Sequence, residues 1–344
     1  MAAGLINVSW LVPATAILMA VVASATHRRY LHREDPARTP AVAEVIFDPV
    51  AINSPALLDP VQDESKGSAV LRAQILLARA HFSCGEMDGA FGSNLRKTVA
   101  AFQQSRNLPP TGNVDAGTWA VLNQDKAPAL TPYTIANDDA AGPFFDVPPN
   151  LMHQAKLPAL GFSSPQELLG EKFHLSPVVL TNLNLGKNLA QAGEQILVPN
   201  VLVMPPPPAS QVVISKSDSS VMVLDANGSM LAYYSATIGS QHDPLPVGTW
   251  NIRYVARNPW FHYNAELFWD AHNPSEKAVI RPGPNSPVGV VWIDLSKDHY
   301  GIHGTPEPSK VGHAFSHGCV RLTNWDAAEL ASIVQPGTPA ILKE

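Results

Sequence analysis

A chain of 344 residues that is 45% hydrophobic and 15% charged is long enough for two or three cores and too apolar to be disordered. Its formal net charge of -6, with no basic stripe, excludes a general nucleic-acid binder, which neutralises phosphates with clustered Lys and Arg. Two cysteines, Cys84 and Cys319, exclude a disulfide scaffold, and the setting of Cys319 argues for a thiol that stays reduced.

Residues 2–25 form an uncharged apolar run that ends in Ala23, Ser24 and Ala25, a small-x-small cleavage signature. The run reads as an export signal or as an uncleaved membrane anchor, since it approaches spanning length. The basic cluster His27, Arg28, Arg29 and Arg33 follows it, the reverse of the positive-inside order. Residues 26–64 carry scattered prolines (Pro36, Pro40, Pro49, Pro55, Pro60) without a sustained period and are expected to be a linker.

Between residues 65 and 125 the apolar spacing is helical: Val70, Leu71, Gln74, Leu77 and Ala78, then Leu95, Val99 and Phe102. Ser93 is expected to cap the second helix and Asp115 a short third one carrying Trp119 and Leu122. Gly85, Gly89, Gly92 and Gly112 punctuate the turns. An ordinary small bundle would show the same stripes. The ordered series in GEMDGAFGSNLRKTVAAFQQSRNLPPTGNVDAGTWAVL nevertheless resembles the three-helix peptidoglycan-binding module of bacterial wall enzymes.

Residues 130–202 begin with a strand-like Tyr133, Thr134 and Ile135 and a glycine- and proline-rich interruption through Pro149. Two helical stretches follow, capped by Ser164 or Ser163 and by Ser176, with Pro177 in a first-turn position; AGEQILVPN closes as a strand. This order, with Phe173, Leu180, Leu183 and Asn184, resembles a LysM glycan-binding module with a long insertion after Ile135. A structural spacer on the same fold is the alternative. Met204 and Pro205 to Pro208 make a stiff spacer over 203–209. Residues 210–344 are expected to be mainly β, with one helix from Trp325 to Val334. The fold class is therefore multidomain α+β.

The chemistry concentrates between His303 and Asn324, in HGTPEPSKVGHAFSHGCVRLTN. A thiol of ordinary pKa is mostly protonated near neutral pH, so a nucleophilic Cys319 needs an imidazole within reach and amide donors for an oxyanion. Gly318 lets the backbone approach a carbonyl closely, and the amides of Gly318 and Cys319 are natural donors. His303 stands sixteen residues upstream, enough for a strand to leave and return beside its neighbour. His317 and Arg321 flank Cys319 at two positions on either side and share its face in a strand. His317 is thus a rival base, and Arg321 a guanidinium for a peptide carbonyl or carboxylate. Ser316 is placed to hold the loop. Two plainer readings stand beside this: a buried small hydrophobe for the cysteine, and a zinc site from His303, His313, His317 and Cys319, for which no regular ligand spacing is present.

Taken together, LPVGTW (from Leu245), PGPNSPVGVVWIDL (from Pro282), YGIHGT (from Tyr300) and SHGCVRLTN (from Ser316) are similar to the YkuD-type catalytic domain of L,D-transpeptidases, in the same order. The resemblance implies Cys319 as nucleophile and His303 as base, oriented by the backbone around Gly304. It assigns oxyanion or support roles to Gly318, Gly304 and Ser316, and substrate contacts to His317, Arg321, Tyr300 and Asn324, with no metal or organic cofactor. His313, Asp270, His272, Trp260, Phe261, Tyr263 and Trp269 are expected in a lid or pocket wall, where aromatic faces can pack along a stem peptide. The implied function is an exported peptidoglycan L,D-transpeptidase, periplasmic or wall-associated. It would form 3→3 cross-links through a thioester with release of D-alanine, and carbapenems would acylate it. Its partners would be stem peptides and glycan strands. An L,D-carboxypeptidase, a protein-to-wall attachment enzyme using the same acyl-enzyme, and a non-catalytic wall-binding protein are the alternatives.

Overall fold

The computed structural model describes residues 45–344 except Asp270 and His272. The apolar run 2–25, the basic cluster after it and the first part of the expected linker lie outside the described residues, as do those two expected pocket-wall residues.

Helix α1 (Pro49–Asn53) starts where Asp48 accepts hydrogen bonds from the amides of Val50 and Ala51 and Pro49 presets the first turn. Ile52 and Phe47 are buried against Leu71 and Ile75, and the Val61 and Val114 backbones pair. The stretch 45–64 is thus folded onto the helices, and the expected linker is corrected there: an Asp-Pro cap and two buried side chains outweigh the scattered prolines. Next come α2 (Ser68–Arg79), β1 (Phe82–Ser83), α3 (Ser93–Ser105) and α4 (Ala116–Leu122). Asp115 caps α4 through the Thr118 amide at 2.8 Å. Gly92, not Ser93, occupies the cap position of α3.

The middle region holds β2 (Leu130–Thr134), α5 (Asn137–Ala141), α6 (Leu151–Gln154), α7 (Pro165–Lys172), α8 (Pro177–Leu183) and β3 (Gln195–Pro199). Strands β2 and β3 pair antiparallel, and Ser164 and Ser176 cap α7 and α8, each followed by proline. Leu71, Ile75 and Met87 share one core with Leu130, Phe173, Leu175 and Leu180. The Met87 amide donates to the His174 carbonyl, and the Ser176 amide to the Met87 carbonyl. Residues 65–125 thus keep a core of their own around Val70, Leu95, Phe102 and Trp119 and share a second one with residues 130–202.

The C-terminal part supplies β4 (Gln211–Ser215), β5 (Ser220–Leu224), β6 (Met230–Ser235), β7 (Thr237–Ile238), β8 (Gly248–Arg257), β9 (Phe261–Asn264), β10 (Lys277–Ile280), β11 (Val291–Leu295), β12 (Gly301–His303), β13 (Val320–Arg321), α9 (Asn324–Ile333) and β14 (Pro339–Lys343). The main sheet runs β1-β6-β5-β4-β14-β8-β11-β12-β13-β7. Only Ala236 separates β6 from β7, yet they lie near opposite ends of that order, so the sheet curls back on itself. Val221, Val223, Ile252, Ile293, Ile302 and Val320 fill the interior with Leu330 of α9. The edge strand β1, from the helical region, pairs parallel with β6 (Phe82 opposite Tyr233).

Candidate active site

The site grows from short strands at one end of this sheet. Trp292 of β11 stands opposite His303 of β12, and His303 opposite Arg321 of β13. One pleat away, Asp294 stands opposite Gly301. Partners in a ladder share a face, so Trp292, His303 and Arg321 form one row and Asp294 and Gly301 the next. Cys319 enters β13 beside Gly301, whose backbone hydrogen-bonds to the sulfur. Glycine is required at 301, because a Cβ would fall 2.6 Å from the Trp292 ring.

These side chains line a cleft of about 1210 Å³. Cys319, His303, His317, Arg321 and Tyr300, all expected from sequence, open into it, as do Trp260, Phe261 and Tyr263 of the expected wall. Trp269 is stacked on His242 at 4.3 Å and lies 6.1 Å from the His317 ring. The four side chains weighed for zinc are not brought together. His313 leaves the group for a separate crevice of about 120 Å³ beside Cys84, which also corrects its expected place in the wall.

The His303 ring is buried and stacked on Trp292, with centroids 5.5 Å apart. Its Nδ1–H donates to the Gly304 carbonyl at 2.7 Å, which leaves Nε2 as the basic nitrogen. Burial first, and the Arg321 charge second, push its pKa down to about 3. The imidazole is thus neutral across the physiological range. Burial also pushes the Cys319 thiol up, against the opposing pull of the Gly301 backbone and the Arg321 guanidinium. The Cys319 thiol reaches the His299 carbonyl at 3.6 Å.

The loop before β13 is held from within. Ser316 donates through Oγ to the Cys319 carbonyl at 2.5 Å, and its amide donates to the Gly239 carbonyl. Gly318 has φ 99, and a Cβ there would strike the Tyr300 ring at 2.9 Å. The Gly304 amide is spent on the Val291 carbonyl, while its own carbonyl holds the imidazole, in keeping with the orienting role expected of it. Asn324 is also corrected. It is buried outside the cleft, with Nδ2 on the Glu171 carboxylate at 2.9 Å and Oδ1 accepting from the Val290 amide. A Cβ on Gly304 would fall 2.2 Å from that Oδ1. Asn324 therefore locks helix α9 to the middle region, and its expected substrate contact is not made.

Three contributors were not read from the sequence. Arg253 lies where the β8–β11 register shifts, and its guanidinium pairs with Asp294 at 2.5 Å, which also accepts from Trp292 Nε1. Asp243 lines the cleft from the loop after β7. Pro149 to Met152, within the insertion after Ile135, line it as well. That insertion is tied to the C-terminal part through the Leu160 amide on the Pro282 carbonyl and the Asn285 amide on the Leu160 carbonyl. The one available signal was the length of the insertion after Ile135.

Comparison with known proteins adds the following. Residues 209–342 match the L,D-transpeptidase catalytic domain profile (YkuD), and residues 66–122 match a peptidoglycan-binding domain. A Bacillus subtilis protein named as an L,D-transpeptidase, YkuD, is 32% identical over 148 residues, 43% of this chain and 73% of that protein. A Bacillus licheniformis protein of the same name is 57% identical over 58 residues, which span 17% of this chain and only 35% of that relative's length. Among solved structures, L,D-transpeptidase 3 from Mycobacterium tuberculosis with a faropenem-derived adduct is 19% identical, with a TM-score of 0.33 over 43% of this chain and 66% of that one.

Proposed function

Because the chain belongs to the L,D-transpeptidase family, we propose that it forms 3→3 cross-links in peptidoglycan through a Cys319 thioester. The observation that carries this reading is a thiol sharing a cleft with a neutral imidazole whose Nδ1 is tied to a backbone carbonyl. Such an imidazole can accept a proton only at Nε2.

At neutral pH the pair rests uncharged, as thiol and imidazole, so the proton leaves sulfur for His303 Nε2 as sulfur attacks the carbonyl of the third stem residue. The amides of Gly318 and Cys319 receive the oxyanion. His303 returns the proton to the departing D-alanine nitrogen, and an amine of a second stem then displaces the thioester. Arg321, desolvated in the cleft wall and with its Nε lacking a hydrogen-bond partner among the described residues, suits a stem carboxylate. His317 and Tyr300 close the pocket around it. General acid–base transfer of this kind contributes about 10²–10⁴-fold.

The match of residues 66–122 to a peptidoglycan-binding domain and of residues 209–342 to the catalytic domain supports peptidoglycan as the substrate. Residues 130–202, read as a LysM-like module, would add glycan contacts, with the insertion diverted to the catalytic cleft. Residues 2–25 would deliver the enzyme outside the cytoplasm; among the described residues no helix is long and apolar enough to cross a membrane.

The test is product mass after incubation with disaccharide-tetrapeptide. A dimer short of one D-alanine supports the transpeptidase. Tripeptide alone makes the enzyme a carboxypeptidase, transfer to a protein lysine makes it an attachment enzyme, and binding to sacculi without product makes it a wall-binding protein.

A further inference from the structure

Cys319 has a neighbour on each side in the sheet. On one side β12 brings Gly301 and His303. On the other, Ile238 of β7 pairs with Val320, and the chain then turns through residues 239–243. That turn is well tied: the Gly239 carbonyl accepts from the Ser316 amide, the Asp243 carbonyl from the Ser240 amide at 2.9 Å, and Ser240 Oγ from the Asp243 amide at 2.9 Å. Asp243 therefore projects into the cleft from the side of Cys319 opposite to His303.

Its Oδ2 is buried and has no hydrogen-bond partner among the described residues. A buried carboxylate oxygen left this way is costly, and its charge opposes ionisation of both Cys319 and Tyr300. Of the other carboxylates lining the cleft, Asp294 is held by Arg253 and Trp292, Asp298 lies 3.5 Å from Arg253, and Glu276 stands at the start of β10, away from the β7 turn in the sequence.

The proposed reaction brings two peptides to one sulfur. The donor brings carboxylates, which suit Arg321; the acceptor arrives as a primary ammonium, which needs an anion. Resting on the transpeptidase reading, we propose that Asp243 is the acceptor-amine site, holding the ammonium of the second stem on the β7 side of the thioester and taking one proton from it. The amine lone pair then forms the new C–N bond as the C–S bond breaks. The second N–H proton goes to the departing thiolate by way of His303, so thioester plus ammonium yields amide, thiol and one proton released to water from Asp243. The carboxylate attracts a charged ammonium more strongly than neutral water, which makes Asp243 a device for favouring aminolysis over hydrolysis.

The test compares purified full-length enzyme with Asp243→Asn and Asp243→Glu variants on disaccharide-tetrapeptide, reading the dimer-to-tripeptide ratio against acceptor concentration and the initial burst of D-alanine. A charge-assisted hydrogen bond is worth about ten- to a hundredfold. Asp243→Asn is expected to lower the ratio by about that factor and to raise the acceptor concentration required, with a burst no smaller and no slower than wild type, since the charge opposing Cys319 ionisation is gone, and with partial recovery in Asp243→Glu. An unchanged ratio in Asp243→Asn, with wild type still cross-linking, overturns the assignment alone. So does a burst that falls as far as the ratio, which would mark a structural role. Tripeptide as the sole wild-type product overturns the transpeptidase reading and this assignment together.

Discussion

The two cysteines sit in crevices that differ about tenfold in volume, 120 Å³ at Cys84 and 1210 Å³ at Cys319. Burial pushes both thiols up, but what stands beside each differs. Around Cys84 the nearby charges are the carboxylates of Asp88 and Asp326, which push in the same direction as burial. Around Cys319 the carboxylates of Asp243 and Asp294 do the same, but the Gly301 backbone and the Arg321 guanidinium oppose them. Both thiols have a histidine in the same crevice, His313 and His303, so an imidazole nearby does not make a nucleophile. A backbone hydrogen bond favours thiolate at both; what separates the sites is the Arg321 cation, with an imidazole locked in one tautomer.

The sharpest way to break this comparison is to delete each sulfur. Cys319→Ala is expected to lower turnover by at least about 10⁴-fold, since no second nucleophile replaces it. Cys84→Ala is expected to keep turnover within about twofold and to lose about 1 kcal/mol of stability to the small cavity. Chromatography of cross-linked product and thermal melting check the pair.

Removing the base comes next. His303→Gln keeps a side chain able to donate to Gly304 but has no basic nitrogen, and is expected to cost about 10²–10⁴-fold in acylation. The pH profile separates this role from a structural one. Because folding holds His303 at about 3, the neutral base persists as pH falls, so acylation by a carbapenem is expected to stay level through pH 5 and to drop only below about 4. A half-point near 6.5 in the rate of β-lactam absorbance loss would contradict the assignment.

Arg321→Lys sharpens the charge argument. A lysine keeps the cation but loses the fork, so the KM for the tetrapeptide is expected to rise about tenfold while alkylation of Cys319 by iodoacetamide still outpaces that of Cys84.

The smallest effect concerns the seam between the two regions. Helix α9 begins three residues after Arg321. It is held by Asn324 on Glu171 and by Asp326, which accepts from Ser83 Oγ at 2.9 Å, next to Cys84. Burial raises Glu171 to about 8 and Asp326 to about 7. The folded chain therefore keeps protons that unfolded carboxyls release near pH ~4. That stability is complete below about 4 and is lost as pH climbs through 7 to 8. Glu171→Gln is expected to flatten part of this alkaline decline in Tm; a decline as steep as wild type would contradict the seam.

The sequence revealed long elements and caps with mechanisms. Asp115, Ser164 and Ser176 cap helices where side-chain chemistry predicts, and the alternating runs from Val212 to Lys343 became strands. What stayed hidden was either too short or too distant. β12 and β13, which carry the site, span three and two residues, too few for a period to show. Cys319 and His303 were legible because their chemistry is written in residue type. Asn324 was misread because adjacency to Cys319 in sequence says nothing of which face it takes at the start of a helix. Its partner Glu171 lies 153 residues away, as invisible to local pattern as the Arg253–Asp294 pair.

The most direct test of Cys319 as the activated thiol is intact-protein mass spectrometry of full-length enzyme, acid-quenched within its first turnover on disaccharide-tetrapeptide and then mapped by proteolysis. The expected result is an adduct of the stem less one D-alanine on the peptide holding Cys319, with Cys84 unmodified and no adduct in Cys319→Ala. Cross-linked product from Cys319→Ala, or an adduct on any other residue, would contradict it.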